Sequence, residues 1–355
     1  MHQGAEGHVV KVIALLLCAA LVFGCIGGES PQPEQNQIDG IGVVKPPPVG
    51  IVVTPQKNQT VGKNESTVTP PPPPAQENDS TLGYVEDPDA LLGVFFIDVG
   101  ESGPQSDAIL IKKGDLDILV DSGSVEKGGK VVDFLRSHEV DDIEVLVSTG
   151  ADPRRYGGMG AVADSFPIEE LWWSGEGSDD LDYMFYIDKA SAKAAEVRFV
   201  SDGFTAVLNG ISFRALNPPA SDADRFDDPN NNGIVLRLDD KEFSMLLTSG
   251  IQSGGQGRLI NTREGYLGVD VMQAPYYGVG VGTSTIGLLL LAVEPEDVII
   301  TGSSDESAAN GGSRDPFKRL MDQYGIAWYE SYRDSGLKVT SDGTDYVIQP
   351  IGAGN

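Results

Sequence analysis

The fold of this chain turns on one stretch, Ser148-Thr149-Gly150-Ala151-Asp152-Pro153-Arg154-Arg155-Tyr156-Gly157-Gly158. It follows an apolar run, 143–147, that reads as a buried strand, and it precedes a helical pattern over 159–166. The chain holds only three histidines, and two of them, His2 and His8, lie at the extreme N-terminus. His138 is the only imidazole beyond residue 25. Both cysteines, Cys18 and Cys25, also fall within the first 25 residues. The body therefore carries no thiolate for a disulfide, a nucleophile or a metal, and no set of imidazoles.

Upstream of the stretch, residues 94–99, 108–111 and 117–120 read as three consecutive strands, the last two turning at Gly114-Asp115. Residues 131–138 carry helical spacing through Val131, Phe134 and Leu135. Downstream, 171–173 reads as a strand, and a second series starts near Val197. It runs through 207–208, 211–216, 234–238, 243–247, 269–272 and 298–300, then a helix at 317–324 and terminal strands. Two β-rich halves with interspersed helices predict two sheets packed face to face with helices outside.

The N-terminus reads as a targeting segment. Lys11 precedes the apolar run 12–23, which is too short for a comfortable membrane span and has the form of a signal-peptide core. It ends in Leu21-Val22-Phe23-Gly24-Cys25, which resembles a lipobox, so that Cys25 would be the lipidated first residue of an exported protein. Residues 26–88 read as a disordered tether: Pro46-Pro47-Pro48 and the run Pro70 through Pro74 favour extended polyproline II. Asn58, Asn64 and Asn78 each open an Asn-x-Ser/Thr triplet there, which suggests a glycosylated stalk. Residues 1–25, 26–88 and 89–352 are thus expected to be signal peptide, linker and folded domain.

Acidic residues number 53 against 25 basic, a formal net charge of −28. A surface so acidic repels nucleic-acid phosphates and anionic membranes at long range, unless a local basic patch overrides it. The acids are dispersed rather than blocked, which favours a role in solubility or salt tolerance over a cationic partner.

Five stretches, in order, resemble the metallo-β-lactamase superfamily, and within it the soluble domain of ComEC-like competence proteins that internalise DNA. They are Phe96-Ile97-Asp98-Val99-Gly100 with Ser106-Asp107-Ala108-Ile109-Leu110-Ile111, Ile118-Leu119-Val120-Asp121-Ser122-Gly123, and 132–138 leading into 148–158. The last two are Asn230-Asn231-Asn232-Gly233-Ile234-Val235-Leu236-Arg237-Leu238 with Leu246-Leu247-Thr248-Ser249-Gly250, and Asp270-Val271-Met272-Gln273-Ala274-Pro275-Tyr276-Tyr277-Gly278. The resemblance implies an α+β fold: an αββα sandwich of two mixed sheets with flanking helices and the site at the sheet edges.

The resemblance also implies a dinuclear metal centre, and its ligand slots can be checked in this sequence. Aligned on Gly157-Gly158, two histidine slots fall on Gly150 and Arg155, and two aspartate slots on Asp152 and Arg154. The bridging aspartate falls on Gly250, and the paired histidines on Tyr276 and Tyr277. Only Asp152 keeps its chemistry. Glycine offers no ligand and a guanidinium is a permanent cation, so the usual site and its metal-activated water are not expected, and no cofactor is implied.

Two readings of the replacements are open. Arg154 and Arg155, with Tyr156, Tyr276 and Tyr277, can form a cationic and aromatic patch that binds phosphate or carboxylate. Alternatively, the arginines pair with nearby acids, Asp152 among them, and fill the old pocket. A third arrangement is an all-oxygen Ca²⁺ or Mg²⁺ site from Asp98, Asp107, Asp121, Asp152 and Asp305. His138 reads as a residue of a helix C-terminus, and Ser122, Ser148 and Ser249 lack an evident base. Trp172-Trp173 reads as core and rim. Residues 227–232 read as a hydrated turn, and the glycine-rich 250–257 lacks the lysine and hydroxyl of a phosphate loop.

The expectation is an exported, lipid-anchored pseudoenzyme on the extracellular face of the cell membrane, or secreted if Cys25 is not modified. Its partner would be an unknown protein or cell-surface ligand, with DNA possible but disfavoured by charge, and it would meet the membrane only through its anchor. The competing expectation is a hydrolase with a relocated or non-zinc site.

Overall fold

The computed structural model describes residues 82–100, 105–175, 177–279, 283–304, 312–333 and 335–352, all within one unit, Ser66–Asn355. The signal segment with Cys25, the tether up to residue 81 with Asn58, Asn64 and Asn78, and Asp305 lie outside the described residues.

The first half runs β1 (Leu92–Ile97), β2 (Ile109–Lys113), β3 (Leu116–Val120), α1 (Gly128–Ser137), β4 (Ile143–Ser148) and α2 (Pro153–Tyr156). It continues with α3 (Met159–Ser165), β5 (Ile168–Trp173), α4 (Leu181–Ser191) and β6 (Ala194–Phe199). The second half runs β7 (Thr205–Leu208), β8 (Ile211–Asn217), β9 (Val235–Asp240), β10 (Phe243–Leu247), α5 (Ser253–Arg263), β11 (Val271–Gln273) and α6 (Thr283–Val293). It ends with β12 (Asp297–Ile300), α7 (Asp315–Tyr324), β13 (Ala327–Glu330), β14 (Gly336–Ser341) and β15 (Tyr346–Pro350).

Among the described residues these strands form two mixed sheets, ordered β15-β14-β1-β2-β3-β4-β5-β6 and β13-β12-β11-β10-β9-β8-β7. In the first, β14, β1, β2 and β3 are antiparallel neighbours, and β3 through β6 run parallel. In the second, β7 through β10 form a meander, and β10 through β13 run parallel. The αββα sandwich expected from sequence is what the chain forms.

Alternation along the strands explains the layering, because successive side chains leave opposite faces of a sheet. Val94, Phe96, Ile118, Val145 and Val147 of the first sheet meet Phe213, Leu236, Met245 and Ile299 of the second in one central core. The opposite face of the first sheet, with Leu119 and Leu146, packs on Val131, Leu135, Met159 and Ile187 from α1, α3 and α4. The opposite face of the second, with Val235, Leu246 and Met272, packs on Leu259, Leu289, Phe317 and Met321 from α5, α6 and α7. Strands covered on both faces read as continuous apolar runs, which is why β3 and β4 stood out in the sequence.

Residues 82–88, the last seven of the stretch read as linker, lie against this body. Leu82 and Tyr84 touch the central core, and the Val85 and Asp87 amides donate to Asp115 Oδ2 (2.8 Å) and Asn209 Oδ1 (2.7 Å). The turn at 227–232 is also not simply hydrated. Asn231 and Asn232 are buried, and Asn231 Oδ1 accepts the amides of Gln252 and Gly255, both at 2.9 Å, at the start of α5. Among the described residues, no helix is long and apolar enough to cross a membrane.

At the sheet end where residues 82–88 lie, Glu144 of β4 accepts the Asp117 amide at 2.7 Å. Burial pushes the Glu144 carboxyl up to about 8 and Asp117 up to about 6; Asp142 reinforces the first, while Lys112 opposes the second. Both folded values exceed those of the unfolded chain, so their favourable contribution is complete in acid and is lost as pH rises through 6 to 8. The melting temperature should therefore rise as pH is lowered from 8 to 5, and Glu144→Gln should flatten that profile. A profile that falls toward pH 5, or that Glu144→Gln leaves unchanged, would contradict this.

Candidate functional site

Turns at the ends of β3, β4, β10, β11 and β12 gather at one edge of the sandwich. Asp121, the residue after β3, adopts a left-handed backbone (φ 59°), and its carboxylate accepts both the Thr149 amide (2.9 Å) and the Thr149 hydroxyl (2.7 Å). Asp152 caps α2 by accepting the Arg154 amide (3.0 Å), with Pro153 at the first helical position. The turn of α2 is held from behind: Asp107 N–H donates to Arg154 O (3.2 Å) and Ser122 N–H to Arg155 O (2.8 Å). Gly158 is required there, since a Cβ would overlap the Ser122 carbonyl.

α2 aims its two arginines differently. Arg154 forks onto Asp152, with Nε to Oδ1 at 2.8 Å and Nη2 to Oδ2 at 2.7 Å, and reaches the Tyr276 hydroxyl at 3.3 Å. Arg155 is 1% exposed. Its Nε donates to Asp107 Oδ2 at 3.2 Å and its Nη1 to Asp152 Oδ2 at 3.2 Å, while Asp121 Oδ2 stands 4.0 Å from Nε. Its guanidinium lies over the Tyr277 ring, 4.8 Å from the centroid. Nη2 and the buried Tyr277 hydroxyl make no hydrogen bond among the described residues.

The second sheet supplies the other wall. Ser249 Oγ donates to Thr149 Oγ1 at 2.7 Å, which ties the two sheets, and Ser249 O accepts the Tyr276 amide at 3.1 Å. Tyr276 and Tyr277 are both left-handed (φ 48° and 61°), a conformation that costs roughly 1–2 kcal/mol for each such residue. Arg314, fully buried, holds the turn through Nε to Tyr277 O at 2.8 Å.

Burial works against every charge in this cluster. It pushes Asp121 up to about 7 and raises Asp107, with Arg155 opposing the shift at both. At Asp152 burial acts the same way, but Arg155 and the Arg154 fork outweigh it and hold the carboxyl below its ordinary range. The neighbouring charges likewise overcome burial at both guanidiniums and keep them firmly protonated.

The arrangement does not fit a metal. Asp152 Oδ2 is engaged by both arginines, and the Arg155 guanidinium lies where Asp107, Asp121 and Asp152 converge. A Cβ at Gly250 would come within 2.9 Å of Arg155 Cζ and Nη2, and nearer still to Nη1, so a side chain at 250 would have to displace this guanidinium from its place among the acids. Among the described residues, no group of three or more His, Cys, Asp or Glu side chains is placed to hold a metal ion.

Of the residues singled out in the sequence, Asp152, Arg154, Arg155, Tyr276 and Tyr277 come together. Tyr156 does not: its ring packs on Tyr183 and Tyr186 in the helical layer, and its hydroxyl donates to Asp180 Oδ2 at 2.7 Å. The arginines form no open cationic patch, because acids at the neighbouring strand ends pair with both. Asp98 lies apart, 3.3 Å from Lys130 Nζ, so the all-oxygen set does not assemble. His138 closes α1, with Nδ1 2.9 Å from Phe134 O. Sequence reasoning gave no role to Gly250 as the space that admits Arg155, nor to Arg314 as the brace of Tyr277. A small cleft of about 20 Å³ opens beside the cluster, lined by Gly150, Ala151, Ser174, Ser178, Tyr183 and Pro229.

No family model matches the sequence, and no curated protein is similar to it at the sequence level. Solved structures do resemble it. The metallo-β-lactamase fold protein YhfI from Bacillus subtilis is 12% identical with a TM-score of 0.50, over 70% of this chain and 98% of that one. The chain has a metallo-β-lactamase fold. Zn²⁺-bound PqqB from Methylobacterium extorquens is 9% identical with a TM-score of 0.47, over 69% and 99% of the two chains. At such an identity the likeness to YhfI speaks for architecture alone.

Removing one partner from a buried ion pair typically costs about 3–5 kcal/mol, while an exposed pair is worth about 0–1 kcal/mol. Urea denaturation should therefore find Arg155→Ala destabilised by several kcal/mol, and the partly exposed Arg154→Ala by distinctly less. Equal losses would mean that the pairing around Arg155 contributes nothing special.

Proposed function

We propose that this protein is an exported, lipid-anchored pseudoenzyme of metallo-β-lactamase fold that works at the cell surface by binding a protein or cell-surface ligand. One observation carries the reading: the buried Arg155 guanidinium lies among the acids at the metal edge of the fold. A guanidinium stays protonated and offers no vacant coordination position, so it cannot generate a bound hydroxide. The fold's edge remains as a shaped surface, with the small cleft beside Gly150. The ComEC-like resemblance of the sequence adds DNA as a candidate ligand. The net charge of −28 and the internal pairing of Arg154 and Arg155 weigh against it.

Elemental analysis of the purified full chain, joined to a screen of phosphodiester and ester substrates, tests the reading. The expected result is substoichiometric zinc and iron, no turnover, and a melting temperature that a chelator does not move. Stoichiometric metal with turnover abolished by Asp152→Ala would establish the rival, a hydrolase with a relocated or non-zinc site. A salt-sensitive gel shift removed by charge reversal at Arg154 would bring DNA back.

The anchor has its own test. Cys25→Ser should move the protein from the membrane fraction to the medium and abolish incorporation of a labelled fatty acid. A variant that stays with the membrane would remove the lipid anchor from the proposal.

A further inference from the structure

We propose that Arg155 is a tethered substitute for a bound cation: Asp107, Asp121 and Asp152 form a cation seat whose permanent occupant is a side chain of the same protein. The inference deepens the reading above and rests on the absence of a resident metal in the native protein. Three acids arrive from three separate turns, and each presents its Oδ2 to one guanidinium, at 3.2, 4.0 and 3.2 Å respectively. Tyr277 closes the seat with its ring face, 4.8 Å from the cation. Gly250 closes the remaining side by having no side chain.

The occupant does not saturate the seat. Arg155 Nη2 is unpaired among the described residues, as is the Tyr277 hydroxyl, and both are almost wholly buried. A planar fork with fixed donor directions leaves part of an acid-lined pocket unmatched. Deleting the side chain would leave a cavity walled by three carboxylates and the bare Cα of Gly250. Such a cavity has the size and the acceptor spacing of a free guanidinium ion. The same geometry sets residues 155 and 250 against each other, since a side chain at 250 displaces the guanidinium. Gly250 has no left-handed backbone to protect, so the guanidinium is what forbids a side chain there.

The test uses full-length Arg155→Gly and thermal melting. The variant should melt roughly 10 °C below the native protein. Millimolar guanidinium should recover several degrees in the variant and none in the native protein, while equal sodium chloride or urea recovers nothing. Should Arg155→Gly fail to fold, Arg155→Lys replaces it. Gly250→Ala should then lower the melting temperature in the native background and do so less beside Lys at 155, whose shorter cation does not reach Gly250. Failure of guanidinium to recover Arg155→Gly, or an equal effect of Gly250→Ala in both backgrounds, overturns the proposal. If the native protein is then metal-free and inactive, the pseudoenzyme reading still stands; stoichiometric metal and turnover in the native protein would overturn both.

Discussion

A guanidinium taken out of water demands counter-charge, and satisfying Arg155 fixes much of the surrounding structure. Its desolvation is offset only because Asp107 and Asp152 bond it directly and Asp121 stands close behind. Those acids must leave their strands at the right points, so Asp121 takes a left-handed backbone and is held by Thr149. The opposite wall must bring an aromatic face to the cation, which requires the strained Tyr276-Tyr277 turn. That turn is in turn braced by the Ser249 carbonyl and by Arg314. Strain of this kind persists only where the surroundings over-determine it, and here they do so from both sheets.

How much of this was legible in the sequence differs by element. The strands around 92–120 and 143–148 are covered on both faces, and their unbroken apolar runs announce them. α5 was hidden, because Ser253-Gly254-Gly255-Gln256-Gly257 opposes helix formation locally. It forms because Asn231 satisfies amides at its start and Leu259 is buried in the outer core. α4 was hidden for a different reason: its exposed Leu181 and Phe185 blur the apolar stripe that Tyr183, Ile187 and Ala190 present. In the site, Asp152, Arg154 and Arg155 are neighbours in sequence and could be read together. That Asp107 and Asp121 serve Arg155 depends on pairings across 48 and 34 residues (155−107 and 155−121), which no local pattern encodes. Tyr156 misled because helix geometry separates adjacent residues: it faces the helical layer while Arg155 faces the sheets' edge.

The acidity of the chain has two structural forms. Most carboxylates are spread over the surface, where they favour solubility. A few are buried at opposite ends of the sandwich, Glu144 and Asp117 at one end, Asp107 and Asp121 at the other, and burial raises all four. Only the second pair is given a permanent internal cation. The first is partly neutralised by Lys112 on Asp117 and otherwise by taking up protons. The two ends therefore meet the same electrostatic difficulty in different ways, one chiefly by taking up protons and the other with a buried guanidinium at its centre.

That difference bears on what the edge of the fold can do. A metal ion at this edge would hold the turns together and also activate water, because it carries an open coordination position. Arg155 can perform the first task, since it is cationic, multidentate and buried, and the ion pairs show it doing so across three turns. It cannot perform the second. Structural cohesion and hydrolytic chemistry, joined in one ion where a metal sits, are separable in this chain because Gly250 leaves room for a side chain to supply cohesion alone. A surface kept in shape by its own arginine stays shaped whatever metals its surroundings supply, which is what the proposed binding role would require.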